Sequence, residues 1–150
     1  MLSENVVLLS SATNVFEVIN INRGPCGERI SHYTEIKAAP VPPDAAEKTY
    51  IRWLISKKDG APTFAMRLFE VEAGGSIAAH YHPWEHEIFI LEGEGKIRIG
   101  SRWYTFTEGT FIYVPPNVEH EYVNTGNRTL KFICMIPNKP STEEKGPLKC

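Results

Sequence analysis

Four of the five histidines in this chain lie in two short segments whose spacing is typical of a transition-metal site. The first segment, HYHPWEHE, contains His80, His82 and His86, and the second contains His120. Neutral imidazoles that converge from neighbouring strands are suitable ligands for a single transition-metal ion. Unrelated surface or core histidines would not be expected to gather in this way, leaving only His32 elsewhere. The sequence therefore predicts a metal site formed by the four clustered side chains.

Strand geometry predicts that these ligands face the same way. Successive side chains of an extended chain point to opposite faces, so residues 80, 82 and 86 share a face wherever the chain is extended. Glu85 and Glu87 then fall on the opposite face. No inward carboxylate is evident near the histidines, so the predicted site lacks an obvious general base.

Short β-rich runs separated by turn residues carry the histidines and predict an all-β sandwich or barrel. Glycine or asparagine, which tight turns favour, lies between most of the runs. The predicted strands are Tyr50–Ser56, Thr63–Glu72, Glu87–Leu91, Gly95–Ile99, Arg102–Thr107, Thr110–Val114, His120–Asn124 and Leu130–Ile136.

The first part of the chain has a different character. Val15–Ile21 and Arg29–Ile36 could be strands, and residues 39–43, with the sequence APVPP, form a stiff connector. We predict that residues 1–49 are an arm packed on the barrel or on a partner subunit, the alternative being a loosely ordered tail. Residues 50–137 would be the barrel and residues 138–150 an irregular C-terminal tail.

Composition narrows the class of protein. A chain of 150 residues with 42% hydrophobic and 23% charged residues suits one globular domain. The net charge of −2 gives no electrostatic footprint for nucleic acid or anionic lipid. No apolar run approaches the roughly 18–20 residues of a membrane helix, and no basic residue precedes the short apolar patch at the start. We therefore predict no nucleic-acid partner, no membrane association and no secretory signal.

The three cysteines predict a reducing compartment. Cys26, Cys134 and Cys150 are an odd number without the spacing of a disulfide framework, so we expect free thiols. Cytoplasm is the expected location. None of the three lies beside the histidines in sequence, which argues against a Cys/His zinc finger.

The flanks of the two histidine segments complete a recognisable pattern. They read Gly74-(5)-His80-x-His82-(3)-His86-(6)-Gly93 and Gly109-(5)-Pro115-x-Asn117-(2)-His120-(3)-Asn124. Together they resemble the two signature motifs of the cupin superfamily, and the resemblance spans about residues 50–137. It implies a jelly-roll barrel, also called a double-stranded β-helix, in which His80, His82, His86 and His120 bind one divalent metal ion.

The chain departs from that family pattern at two positions. Asn117 replaces a glycine, a mild change because Asn tolerates a left-handed backbone conformation. His86 stands where most members have a glutamate, so the resemblance is to the four-histidine cupins. The stretches MRLFEVEAGG, HPWEHEIFILEGEG and FICMIP resemble the small, single-domain manganese cupins of thermophiles. This resemblance favours manganese, although Fe, Cu, Ni and Zn also accept imidazole. Four neutral ligands leave the full +2 charge on the ion, which should favour an anionic substrate or a developing enolate.

Several residues are candidates for the pocket beside the metal. Tyr122 has the parity of His120 and is either a catalytic proton donor or a core aromatic. Phe132, Cys134 and Ile136 share one face of the last strand, which the resemblance places toward the pocket. Cys134 is either a redox-sensitive pocket thiol or a small buried hydrophobe.

Two further pocket candidates are open to a second interpretation. Arg67 interrupts an apolar run and is either an inward carboxylate clamp or an outward, solvated side chain. Trp84 either closes the pocket mouth or only anchors its loop.

Exposed aromatics and the predicted arm together favour a homodimer with strands shared across the two-fold axis, as the resemblance also implies. The aromatic residues on adjacent strands are expected to be core and interface material. They are Trp103, Tyr104, Phe106, Phe111 and Tyr113.

Three function classes remain open because cupins host many chemistries. The leading hypothesis is a dioxygenase-type oxygenase acting on a small organic anion, because an all-histidine site with open positions resembles the cupin dioxygenases. The second is a non-redox isomerase, lyase or hydrolase that uses the ion as a Lewis acid. The third is a protein that binds a metabolite or a metal without turnover.

Overall fold

The computed structural model describes residues 23–138, and within that range the regular structure is almost all β. The predicted all-β jelly-roll is confirmed. Two predicted strands have the predicted bounds, Arg102–Thr107 and His120–Asn124, whereas the strand predicted from Thr63 continues to His80. The strands are β1 Ala39–Pro40, β2 Ala46–Ile55, β3 Phe64–His80, β4 His86–Glu92, β5 Glu94–Ile99, β6 Arg102–Thr107, β7 Phe111–Val114, β8 His120–Asn124 and β9 Leu130–Pro137.

Residues 37–138 form one curled antiparallel sheet in which β3 is central. The order of hydrogen-bonded neighbours is β6-β5-β8-β3-β9-β4-β7, and β2 pairs with both β1 and β3. The first half of β3 pairs with β9, and its last residues pair with β8. This arrangement places His80 directly opposite His120.

Between the two halves of β3, the backbone at Gly74 and Gly75 lies close to β2. Gly74 has φ +75°, a left-handed conformation that glycine adopts without strain. A Cβ on Gly75 would lie 2.8 Å from Val71 Cγ1 and 2.9 Å from the carbonyl oxygen of Glu47. Only glycine fits at position 75, which is a physical reason for the glycine pair that precedes the histidines. Asn117 also has positive φ, at 63°, as expected for a residue in a glycine position.

The core lies on the concave side of the sheet, where alternate residues of each strand meet. Leu130, Phe132 and Cys134 of β9 are each at most 1% exposed, and Ile88 and Ile90 of β4 pack in the same cluster. Complete burial of an aliphatic or aromatic side chain of this size stabilises a fold by about 1.5–3 kcal/mol. The same alternation that builds this core therefore fixes which residues of β4 and β9 face the site.

Residues 23–36 belong to a separate unit of the chain, and one prediction made for them is wrong. A strand was expected over Arg29–Ile36, but Tyr33–Glu35 form a 3-10 helix. His32 caps it, because its side chain accepts a hydrogen bond from the backbone N–H of Thr34. Such local side-chain bonding offers the backbone an alternative to a sheet ladder.

The other predictions for the two ends of the chain stay predictions. Val15–Ile21 and residues 139–150 lie outside the described residues, and the division into arm, barrel and tail stays a prediction. Over residues 23–138, no helix has the length and apolar character needed to cross a membrane.

Candidate metal centre

The structure brings the four predicted histidines together. His80 ends β3, His86 begins β4 and His120 begins β8, while His82 lies in the short loop between β3 and β4. Their candidate ligand atoms all lie within 4.8 Å of one another. Parity along one strand does not produce this arrangement, because residues 81–85 form a loop between β3 and β4. The loop brings His82 and His86 beside His80.

Backbone carbonyls orient three of the four rings. The carbonyl oxygens of Ala78, Trp84 and Val118 lie 2.7, 2.7 and 2.8 Å from the Nδ1 atoms of His80, His82 and His120, respectively. A carbonyl oxygen can only accept, so each Nδ1 carries the proton and each Nε2 is left with a lone pair. Hydrogen bonding of the outer nitrogen in this way fixes the ring orientation of metal-ligating histidines.

The electrostatic environment keeps the rings in the form that binds metal. Burial lowers the pKa of His120 to about 3. Burial also lowers the pKa of His86, with a further contribution from the positive charge of Arg67, and burial lowers the pKa of His82. Metal ligation requires neutral imidazole, so these three rings need not lose a proton first.

The ligand set fits a single transition-metal ion. Metal–nitrogen bonds of about 2.0–2.1 Å place two ligand atoms at most about 4.2 Å apart, close to the observed span. His120 Nε2 is buried and lacks a hydrogen-bond partner among residues 23–138. A buried polar atom without a partner is costly, and a metal ion would satisfy it. All four donors are imidazoles, which Mn, Fe, Cu, Ni and Zn accept.

A cavity of about 480 Å³ adjoins the histidines, and His80 and His86 form part of its wall. This volume lies within the usual range for small-molecule sites, roughly 300–1,000 Å³. Most of the remaining wall is apolar, including Ile51, Phe69 and Ile77. The cavity therefore suits an organic ligand with a large apolar portion.

Four of the six predicted pocket or catalytic residues line this cavity: Arg67, Tyr122, Phe132 and Cys134. The other two, Trp84 and Ile136, are not part of its wall. Trp84 stacks on the ring of His82 at 4.3 Å between centroids and 6° between planes, and Ile136 packs against the core cluster.

Arg67 faces inward, as the clamp interpretation required. It is paired with Cys134 across β3 and β9, and its Nη2 lies 3.0 Å from Cys134 Sγ. The guanidinium also lies over the rings of Trp53 and Phe69, at 5.6 and 5.1 Å from their centroids. No carboxylate of residues 23–138 lies within ion-pair distance of it.

Tyr122 lies between the metal cluster and the core. It is 3% exposed, stacks on Phe132 at 5.4 Å between ring centroids, and meets the ring of His120 edge-on at 5.8 Å. Burial raises the pKa of its hydroxyl well above the ordinary value, so the group holds its proton at neutral pH.

Sequence reasoning missed the cavity wall formed by residues 40–45. This segment between β1 and β2 includes Asp44, a carboxylate in the lining, although its side chain is exposed. The backbone N–H of Ala78 donates to the carbonyl oxygen of Ala45 at 2.9 Å, which ties the segment to β3 beside His80. The proline-rich composition predicted an extended connector, but no pattern in the sequence indicates which surface it covers.

Comparison with known proteins decides the family. Residues 67–136 match the model of the cupin domain. The solved structure of the polyketide cyclase RemF from Streptomyces resistomycificus is 31% identical to this chain, covers 80% of it and 89% of RemF, and superposes with a TM-score of 0.70. The chain belongs to the cupin superfamily. His86, which stands where most members have a glutamate, is therefore part of a four-histidine cluster in a cupin domain.

Two curated relatives share shorter segments with this cupin. The oxalate-binding protein of Thermotoga maritima is 32% identical over 74 residues, which are 47% of this chain and 61% of that protein. Glucose-6-phosphate isomerase of Pyrococcus abyssi is 33% identical over 66 residues, which are 39% of this chain and 35% of the isomerase. The chain thus spans less than two-thirds of the length of these curated relatives.

Proposed function

We propose that this cupin is a metal-dependent enzyme acting on an organic anion that has a large apolar portion and an enolisable carbonyl group. The observation that carries the proposal is the position of the four-histidine cluster in the wall of an apolar cavity that also contains a guanidinium. Neutral imidazoles supply no counter-charge, so the site as a whole is electropositive.

His80, His82, His86 and His120 would hold the ion. When bound, a divalent ion with four neutral ligands supplies Lewis-acid stabilisation of negative charge on a substrate oxygen. Following the family resemblance we propose manganese, one ion per chain, with Fe, Cu, Ni and Zn as the alternatives to be tested.

Arg67 would bind the anionic group of the substrate. Its guanidinium is not neutralised by any carboxylate in residues 23–138, and the buried Nε atom of Arg67 has no hydrogen-bond partner there. A guanidinium recognises a carboxylate or enolate through paired N–H donors. The rings of Trp53 and Phe69 hold it in place by cation–π contact.

Tyr122 would donate a hydrogen bond to a substrate oxygen or return a proton to carbon. It is the phenol that shares the cavity wall with Arg67, and its side chain is buried. Phe132 and Cys134 complete the wall on β9 and would contact the apolar portion of the substrate.

Redox-neutral chemistry, such as cyclisation or isomerisation through an enolate, is the leading reaction class. The similarity to a polyketide cyclase over most of both chains supports it. So does the size of the apolar cavity, because an ion as small as oxalate would leave most of that volume unfilled. An oxygenase is the second candidate, favoured by the all-histidine ligand set without a carboxylate.

The deciding experiment starts from metal analysis of protein purified without chelators or affinity metal. The metal-free protein is then loaded with Mn, Fe or Zn and assayed with β-diketones and ortho-hydroxyaryl ketones, in air and under strict anaerobiosis. Turnover with Zn and without O2 supports the redox-neutral proposal. Turnover that requires O2 and consumes it would establish the oxygenase instead.

A matched pair of variants controls the assay. His120→Ala should abolish both metal loading and turnover, whereas His32→Ala, outside the cluster, should leave both unchanged. Metal and ligand binding with no product from any substrate would favour a protein that binds without turnover.

Assembly and location are proposed on separate observations. Exposed aromatics on β4, β6 and β7, namely Phe89, Trp103, Tyr104, Phe111 and Tyr113, support a homodimer. Cys26 and Cys134 are free thiols, which supports a reducing compartment such as the cytoplasm.

A further inference from the structure

His86 differs from the other three clustered histidines in what its outer ring nitrogen touches. Backbone carbonyls bond Nδ1 of the other three rings. Nδ1 of His86 instead lies 3.1 Å from Cys134 Sγ and 3.4 Å from Arg67 Nη2. The hydrogen bonds within residues 23–138 give this nitrogen no backbone partner.

The hydrogen-bond directions around His86 follow from its orientation toward the cluster. Its Nε2 faces the cluster and lies 2.7 Å from His82 Nε2. A neutral ring that binds metal through Nε2 carries its proton on Nδ1. His86 Nδ1–H and Arg67 Nη2–H are then both donors and cannot bond each other. The sulfur of Cys134, 3.0 Å from Arg67 Nη2, is the acceptor within reach of both.

We infer that Cys134 is a positioning residue for His86. Its sulfur accepts a hydrogen bond from His86 Nδ1–H, and Arg67 Nη2–H holds the sulfur from the other side. The ring of His86 is thereby fixed with Nε2 toward the metal. This inference rests on the proposed metal site and adds to it the group that orients the ligand in the family's usual glutamate position.

Register explains why Cys134 can do this and a neighbouring residue cannot. Cys134 pairs with Arg67 on β3 and with Ile88 on β4, so its side chain lies between Arg67 and the start of β4. It is 1% exposed. An apolar side chain here would fill the space but leave two buried donors without an acceptor, which is costly.

The experiment measures metal affinity and ligand geometry rather than activity. Metal-free full-length protein is titrated with Co²⁺ in competition with a chromophoric chelator, and the visible d–d bands report the ligand geometry. The variants are Cys134→Ala, Cys134→Val, which fills the space, and Cys134→Ser, which keeps an acceptor. Ile136→Val, on the same face of β9, controls for packing, and Cys26→Ala controls for loss of a thiol.

Loss of such an outer partner typically lowers metal affinity about 10–100-fold, and we expect that loss in Cys134→Ala and Cys134→Val, with shifted d–d bands. Cys134→Ser should stay within about 3-fold of the unaltered protein, well inside that range. Either apolar variant suffices if the other does not fold. Unaltered affinity and bands in the apolar variants would overturn the inference, as would an equal loss in Cys134→Ser. Absence of Co²⁺ binding at the histidines of the unaltered protein would instead overturn the metal site itself.

Discussion

The two faces of strand β4 differ in character along the same stretch of chain. His86, Ile88 and Ile90 point inward and are at most 4% exposed. Phe89 and Leu91 point outward and are 48% and 40% exposed. The inner face thus joins a candidate metal ligand to the core without a break, whereas the outer face presents apolar side chains that nothing in residues 23–138 covers.

We therefore expect stability and metal binding to be linked on the inner face and separable from association on the outer face. A candidate metal ligand on the same strand face as core residues is positioned by their packing. The reason is that side chains of one strand face cannot move independently of the backbone. Substitutions inside should therefore affect folding and the site together. Substitutions outside should affect association alone.

The largest effect is expected from truncation in the inner core. Phe132→Ala should destabilise the fold by about 3–5 kcal/mol, because Phe132 is 1% exposed and its removal leaves a cavity. Urea denaturation gives the free energy of unfolding. Phe111→Ala is the matched control outside: Phe111 is 81% exposed, and in the monomer its loss should change that energy by less than about 0.5 kcal/mol. Equal losses of unfolding free energy in the two variants would show that the two faces do not differ in their contribution to stability.

Removal of an inner ligand should nearly abolish metal binding. His120→Ala deletes the buried nitrogen that lacks a hydrogen-bond partner among the described residues, so affinity should fall by more than the roughly 100-fold caused by losing an outer partner. Competition titration with Co²⁺ measures this change. Normal affinity in the variant would show that His120 is a structural residue and not a ligand.

Metal removal should destabilise the unaltered protein. An ion that binds the folded state alone contributes about 2.7 kcal/mol at a concentration 100 times its dissociation constant. Chelation should therefore lower the melting temperature of the unaltered protein but leave that of His120→Ala unchanged. Identical shifts in the two proteins would place the stabilising ion elsewhere.

A carboxylate at position 86 should change the reduction potential of the bound metal ion more than the affinity for it. His86→Glu restores the carboxylate that most cupins have at this position, so the ion should stay bound. The added negative charge should lower the reduction potential of bound Mn or Fe, which voltammetry measures. Complete loss of metal would show that the surroundings of His86 accept imidazole only.

The smallest effect on the monomer's stability, and a large one on assembly, is expected on the outer face. Phe111→Lys should convert the proposed homodimer to a monomer, because a charge in an apolar interface is not solvated. Light scattering gives the mass. A dimeric mass for the variant would place the interface away from β7, and a monomeric mass for the unaltered protein would refute the dimer.

The amino-acid sequence alone was sufficient to predict the fold and the histidine cluster. Alternating strands and two spaced motifs predicted the jelly-roll, and the spacing of His80, His82, His86 and His120 predicted their convergence. These inferences succeed because side-chain parity and turn residues are local properties of the chain.

The surroundings of that cluster could not be predicted in the same way. The side on which Arg67 lies, its sharing of the Cys134 sulfur with His86, and the covering of the cavity by residues 40–45 all depend on the pairing of β3 with β9 and β2. The 3-10 turn at Tyr33–Glu35 was likewise missed, because a side-chain hydrogen bond overrode a β-like composition. Register between distant strands is set by packing of the whole sheet, so no local pattern specifies it.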